Sequence, residues 1–364
     1  MELYFAGGYG EHGRNCFYLT GSTGSFMVDC GIMPGAAEPF PALTPAQIAD
    51  AAFVLLTHAH ADHVGALPWL YGNGFEGTVF LSECTYNQLR CPPKRYQFID
   101  AMTPPLLPCT LLPGITMTWG RSGHCAGAVW YALALDGKRL VFSGDYTEHS
   151  TLYACDPLEN QQADAAVLDC AYATYPPDVA NEGVLRTRFA DCAAGILGAG
   201  QKLILPVPKY GRGPELALIL HRLLPEVPLC ADDTLRAQSD ASGPEAFWLR
   251  EDAAGALRRL HLHSQRTFEK TQGPAACLLS DPQLKHWADR PLADIAAGPR
   301  ILLTGHCDEG SLSAALLEKG LAEFRSFPVH QGMPEFQALC QHNRFARTFA
   351  VHSDRFAPVE RVTL

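Results

Sequence analysis

The segment LLTHAHADHVGA sets His58, His60, Asp62 and His63 close together in the chain. Imidazole and carboxylate are the ligands that divalent transition ions take. In a chain with 14 histidines, the order HxHxDH arises by chance in roughly two sequences per thousand, so it is read as a motif. The run from Phe53 to His58 is apolar almost to its end, as a buried strand would be. A loop leaving that strand can aim His58 and His60 at one point, while Asp62 and His63, at the following helix start, aim at a neighbouring one. Two adjacent metal sites are the chemistry this spacing allows.

The elements around the motif must hold it still, and the chain is long enough to do so. Its 364 residues predict two to three domains, or one large fold with an insertion, and 47% hydrophobic with 18% charged residues excludes disorder as the main state. The formal charge of −10 leaves no broad positive field to gather nucleic acid, so any such contact must be local. The stretch from Ala101 to Gly120 carries no charge but holds Pro104, Pro105, Pro108 and Pro113; it reads as a loop followed by a strand and not as a membrane helix. Glu2 stands where a secretory signal would carry basic residues, and no apolar core of signal length follows, so the chain is expected in the cytosol. Thirteen cysteines without a CxxC pair read mostly as buried reduced thiols.

ELYFAG, NCFYLTG and SFMVDCG read as successive antiparallel strands, Pro45 to Ala52 as a helix, and DHVGALPWLYGNG as a helix capped by Asp62. Further strands are expected at TVFLSE, GITMTWG, VWYALALDG with KRLVFSGD (a hairpin on Asp136-Gly137) and AAVLDCAY. After Pro176-Pro177 the texture becomes alternating helix and strand, with helices at Glu182 to Gly198, Glu215 to Leu224 and Ser311 to Glu318 between apolar strands. That is a parallel α/β pattern with its own core. The last forty or so residues read as strand, helix, strand: RSFPVHQ, PEFQALCQHN and TFAVHSD.

With HxHxDH in place, the sequence resembles the metallo-β-lactamase superfamily. The rest of that family's motif set follows in order: FMVDCG supplies Asp29, SGHCAGA supplies His124 and FSGDYTE supplies Asp145. The resemblance implies an αββα sandwich in which His58, His60 and His124 hold one metal, Asp62 and His63 help hold a second, Asp145 bridges both, and Asp29 orients a ligand histidine. ILPVPKYGRGPELALIL and ILLTGHCDEGSL resemble the inserted cap of the β-CASP branch, the RNA- and DNA-cleaving nucleases. The implied fold is an α/β protein, a sandwich over 1–175 and 325–364 with a parallel α/β cap over 176–324.

The same resemblance places Asp169 in the first extra β-CASP motif, His330 in the second and His352 in the third. It makes His352 a ligand of the second metal, and Asp62, His330, Asp169 and Asp29 the catalytic candidates, with His330 donating a proton to the leaving oxygen. The first motif departs from the usual pattern in continuing as Cys-Ala-Tyr-Ala, and the second has Val329 and Gln331 around its histidine. Lys209, Arg212, Thr304 and Gly305 are the expected phosphate contacts. The implied cofactor is two divalent ions, zinc ahead of manganese or iron. The implied partner is single-stranded RNA, with a homodimer allowed and no membrane. Two other readings stand beside this one: a small-molecule metallohydrolase acting on a lactone, thioester or phosphodiester, and an inactive nucleic-acid-binding scaffold.

Overall fold

The glycine-separated β-rich runs at the start of the chain form β1 (Glu2–Gly7), β2 (Cys16–Gly21) and β3 (Gly24–Val28), which pair antiparallel. The direction then changes. β4 (Ala51–Leu55), β5 (Thr78–Leu81) and β6 (Tyr96–Phe98) each run parallel to the strand before, because helices make the crossovers that parallel pairing requires. These are α1 (Pro45–Asp50) before β4, α2 (Ala61–Val64) and α3 (Leu67–Gly72) before β5, and α4 (Glu83–Gln88) before β6. The computed structural model describes residues 1–174, 182–239, 243–356 and 360–364; the Pro176-Pro177 boundary lies outside them.

The chain continues through β7 (Cys109–Leu112), β8 (Ile115–Arg121), β9 (Val129–Leu135), β10 (Lys138–Phe142), β11 (Gln162–Ala163) and β12 (Ala165–Asp169). Strands β13 (Lys202–Pro206), β14 (Leu229–Ala231), β15 (His263–Ser264), β16 (Ala275–Leu279), β17 (Arg300–Leu303) and β18 (Glu323–Phe324) follow. The last are β19 (Arg344–Phe345), β20 (Thr348–Val351) and β21 (Arg361–Thr363). They assemble into a seven-stranded sheet, β21-β1-β2-β3-β4-β5-β6, a six-stranded sheet, β20-β12-β10-β9-β8-β7, the pair β11-β19, and a second six-stranded sheet, β15-β14-β16-β13-β17-β18. The last is parallel throughout, which is why its inner strands β14, β16, β13 and β17 are largely apolar runs.

Two compact units result: Met1–Ala180 with His330–Leu364, and Asn181–Val329. The first is an αββα sandwich. Phe26 stacks on Phe53 at 4.5 Å and Phe53 meets Phe80 edge-on at 5.6 Å within one sheet, while Phe17 reaches Phe142 of the other at 5.9 Å. On the outer side of the first sheet, Ile48, Leu67 and Leu70 from α1 and α3 pack with Tyr18, Met27 and Val54. The other sheet buries Trp130, Val141 and Leu168 under Phe336 and Leu339 of the helix Met333–His342. Among the described residues no helix is long and apolar enough to cross a membrane. All thirteen cysteines are free, and Cys91 alone is exposed.

Four local readings are corrected. The helix after β4 starts at Ala61 with His60 at its N-cap, so Asp62 lies inside the first turn and caps nothing. Residues 101–120 hold two strands, β7 and β8, paired across a turn at Gly114 (φ 83°). RSFPVHQ is irregular and not a strand, with the short β18 just before it; Pro328 lacks the N–H a ladder needs. The helix expected from Glu215 begins at Arg212.

Phe53→Ala removes the ring shared by the Phe26 and Phe80 contacts. It should lower unfolding free energy by about 3–5 kcal/mol in guanidinium titrations; a loss below about 1 kcal/mol would mean that the stack is not a central part of this core.

Candidate metal centre

Six strand ends converge on one place. Asp29 follows β3, His58 and His60 follow β4, His124 follows β8, Asp145 follows β10, Asp169 closes β12 and His352 follows β20. Backbone hydrogen bonds lock the loops: Cys30 N–H donates to the His63 carbonyl at 2.7 Å, Asn15 N–H to that of Asp62 at 2.8 Å, and His352 N–H to that of Gly8 at 2.8 Å. Gly31 admits no side chain, since a Cβ there would overlap the Asp62 carbonyl. Asp29 (φ 59°) and His352 (φ 64°) sit in the left-handed region, a strained backbone that persists only where surrounding contacts enforce it.

Asp145 lies at the centre, 3% exposed. Its Oδ2 is 3.3 Å from His58 Nε2 and 3.4 Å from His124 Nε2, and its Oδ1 is 3.1 Å from His63 Nε2 and 3.3 Å from His352 Nδ1. One carboxylate thus turns a separate oxygen to each of two histidine sets. His60 Nδ1 lies 3.1 Å from His124 Nε2, and Asp62 Oδ2 lies 3.1 Å from His352 Nε2 and 3.6 Å from His63 Nε2. Three groups of donor atoms come close enough to hold an ion: His58, His60, His124 and Asp145; Asp62, His63 and His352; and Asp145, Asp169, His330 and His352.

The donor set fits a cation. Among the described residues no hydrogen bond satisfies the buried Nε2 of His58 or Nδ1 of His352, atoms that a metal would use. Burial opposes charge at His63, yet the carboxylates of Asp145, Asp29 and Asp62 hold its pKa well above the ordinary value. His352 is raised in the same way, against burial, by Asp145. Burial instead keeps His124 well below it. Burial also disfavours the charge on Asp145, but His63, His352, His330 and His58 outweigh it and keep the carboxyl low. Anions without cations in a buried place are costly. Bound divalent ions would satisfy these anions and replace ring protons.

The orienting contacts are equally specific. Asp29 Oδ2 is 2.7 Å from His63 Nδ1 and its oxygens accept from the N–H and Oγ1–H of Thr57, each at 2.8 Å. Asp169 Oδ2 is 3.0 Å from His330 Nδ1 and accepts from Tyr146 N–H, and Oδ1 accepts from Ala171 N–H. His330 stands beside Asp145, 3.8 Å from Oδ2. Sequence reasoning missed Asn15, whose Nδ2 is 3.0 Å from His63 Nε2, and Thr57. Thr57 adjoins His58 in the chain and was within reach; nothing in the spacing singles out Asn15.

Lys209, Arg212, Thr304 and Gly305 belong to the second unit. Arg212 is buried in the first turn of the helix Arg212–Leu223, and a Cβ on Gly305 would overlap its guanidinium. Neither Arg212 Nε nor Thr304 Oγ1, both buried, has a hydrogen-bond partner among the described residues. Lys209 is half-buried beside the Tyr210 ring.

A sequence profile of the metallo-beta-lactamase superfamily matches residues 9–78. The chain is 26% identical over 62% of its length to transcription termination factor FttA of Cenarchaeum symbiosum, covering 39% of that protein. It is 23% identical over 85% of its length to cleavage and polyadenylation specificity factor 73 of Drosophila melanogaster, covering 51%, and 24% identical over 80% to ribonuclease TTHA0252 of Thermus thermophilus, covering 76%. It thus spans about half or less of the first two. A crystal structure of a protein of unknown function from Enterococcus faecalis superposes over 100% of this chain and 99% of that one, with TM-score 0.62 and 12% identity, a likeness of fold. Over residues 9–78 the chain thus resembles the metallo-β-lactamase superfamily, and the curated relatives it matches are β-CASP nucleases of that superfamily.

Chelation should lower the melting temperature, and an added divalent ion should restore it, since an ion at about a hundredfold its Kd adds ~2.7 kcal/mol. His58→Ala should blunt the restoration; identical melting with and without ions would show that the donor clusters hold none.

Proposed function

We propose that this chain is a metal-dependent ribonuclease that hydrolyses phosphodiester bonds of single-stranded RNA. The observation that carries the reading is Asp145, one buried carboxylate with an oxygen toward each of two histidine groups. It suits a pair of divalent ions, zinc first, with His58, His60 and His124 on one, Asp62, His63 and His352 on the other, and Asp145 on both. Such ions supply an activated water and neutralise the charge that develops on the phosphate. The names of the relatives, among them a ribonuclease, support the substrate class.

The chain's own residues complete the chemistry. Asp29 accepts from His63 Nδ1–H and so fixes the tautomer that leaves Nε2 free to ligate. Asp169 accepts from His330 Nδ1–H and so orients the ring; when the ring carries both protons, its Nε2–H donates to the departing oxygen. Within the second unit, Arg212 and Thr304, each with an unused buried donor, hold a phosphate with Gly305 giving the close approach and Lys209 adding charge. The net charge of −10 favours one other reading, a hydrolase for small esters or phosphodiesters. A panel of labelled RNA, single-stranded DNA and lactone substrates separates the two.

Two late histidines give the sharpest test. His330→Ala should keep close to two ions per chain and lose about 10²- to 10⁴-fold in turnover of RNA. His352→Ala should lose turnover and one ion together by elemental analysis. Equal metal loss in both variants would make His330 a ligand and remove it as proton donor.

A further inference from the structure

The metal centre has a neighbour that the proposed chemistry leaves unused. α4 is fastened to the loop that carries His124: Ser82 and Thr85 hydroxyls donate to the Gly127 carbonyl at 2.8 and 3.0 Å, and Gln88 Nε2 donates to that of Ala126 at 3.0 Å. The chain then leaves through Leu89 and returns as β6, the edge strand of its sheet. From Cys84 to Ile99 it carries Arg90, Lys94 and Arg95 and no acidic residue, in a protein of net charge −10. All three cations are exposed. The nearest acids along the chain are Glu83 and Asp100, and the Asp100 carboxylate is occupied by the Glu83 backbone N–H.

Aromatic rings lie among these charges. Tyr96 is 42% exposed on the edge strand, with its ring centroid 4.5 Å from Tyr86 and 5.1 Å from Phe98. Lys94 Nζ stands 5.9 Å over the Tyr71 ring, and Arg95 spends one N–H on the Glu76 carbonyl at 3.3 Å. Pro92 and Pro93 stiffen the connection between Arg90 and Lys94. Cations spaced around one exposed ring, Tyr96, backed by partly buried ones, are what a flexible single strand needs, since its phosphates take the charges while an unpaired base stacks. An acidic protein surface would use the charges and leave Tyr96 without a function.

We propose that the surface from α4 to β6, with Arg90, Lys94, Arg95 and Tyr96, is a binding track for the part of a single-stranded RNA that extends beyond the scissile phosphate. This rests on the ribonuclease reading and deepens it. The track begins at the His124 loop, so it takes bases a few nucleotides from the cut and reads no particular sequence, because every base offers a face for stacking. Long RNA should therefore gain affinity that short RNA lacks.

The test uses the metal-loaded full chain and nuclease-resistant phosphorothioate RNAs of about 6 and about 20 nucleotides, with affinity measured across a salt series. Wild-type protein should bind the longer RNA more tightly. The R90A/K94A/R95A variant should lose tenfold or more for the longer RNA, with its salt slope flatter by about 2, while the shorter RNA and metal content stay unchanged. Tyr96→Ala should lose about tenfold with little change in slope, and Tyr96→Phe should keep the affinity, which separates stacking from folding. Wild-type affinity and slope in the triple variant would overturn the track alone. Hydrolysis of a small activated phosphodiester by wild-type protein that binds neither RNA would overturn the track and the ribonuclease reading together.

Discussion

Asp145 is the constraint on which the rest of the molecule turns. A carboxylate buried to this depth is tolerated only when opposite charge or strong donors surround it, and here four histidines reach its two oxygens from three different segments. Those segments leave both sheets of the sandwich. Bringing them together requires both sheets to end at the same edge, and the Phe17–Phe142 contact ties the two layers to each other. The direction change after β3 serves the same purpose, because parallel strands deliver their C-terminal loops to a single side.

Precision at that edge is held by backbone features more than by the converging side chains themselves. The left-handed backbone at Asp29 and His352 turns each side chain back toward the centre directly after its strand. Such conformations cost about 1–3 kcal/mol each. They are offset by a dense set of hydrogen bonds, among them Asn15 to Asp62, Cys30 to His63 and His352 to Gly8. Gly31 has the opposite task of letting two chain segments touch, and no other residue fits beneath the Asp62 carbonyl.

The overall negative charge shapes how an anionic substrate could be met. With no broad attraction available, positive groups matter where they are concentrated, and they stand in two different settings. Arg212 is buried and aligned over Gly305 in the second unit, whereas Arg90, Lys94 and Arg95 are exposed on a short stretch beside the His124 loop. A buried guanidinium selects geometry, and exposed cations give salt-dependent affinity.

Much of this was legible in the sequence because its signals are local. HxHxDH marks a strand end followed by a helix start, and Asp29, His124, Asp145, Asp169 and His352 each end an apolar run whose period identifies it. The switch to parallel α/β texture is likewise a matter of continuous apolar strands. What tertiary structure decided lies in contacts between segments far apart in the chain. Asn15 on His63 bridges the start of β2 and a helix beyond β4, and no spacing rule connects them. RSFPVHQ reads as a strand from its composition, yet Pro328 and the passage between two units leave it irregular. Which oxygen of Asp145 faces which histidines depends on how two sheets stack, a relation that side-chain type and local period do not encode.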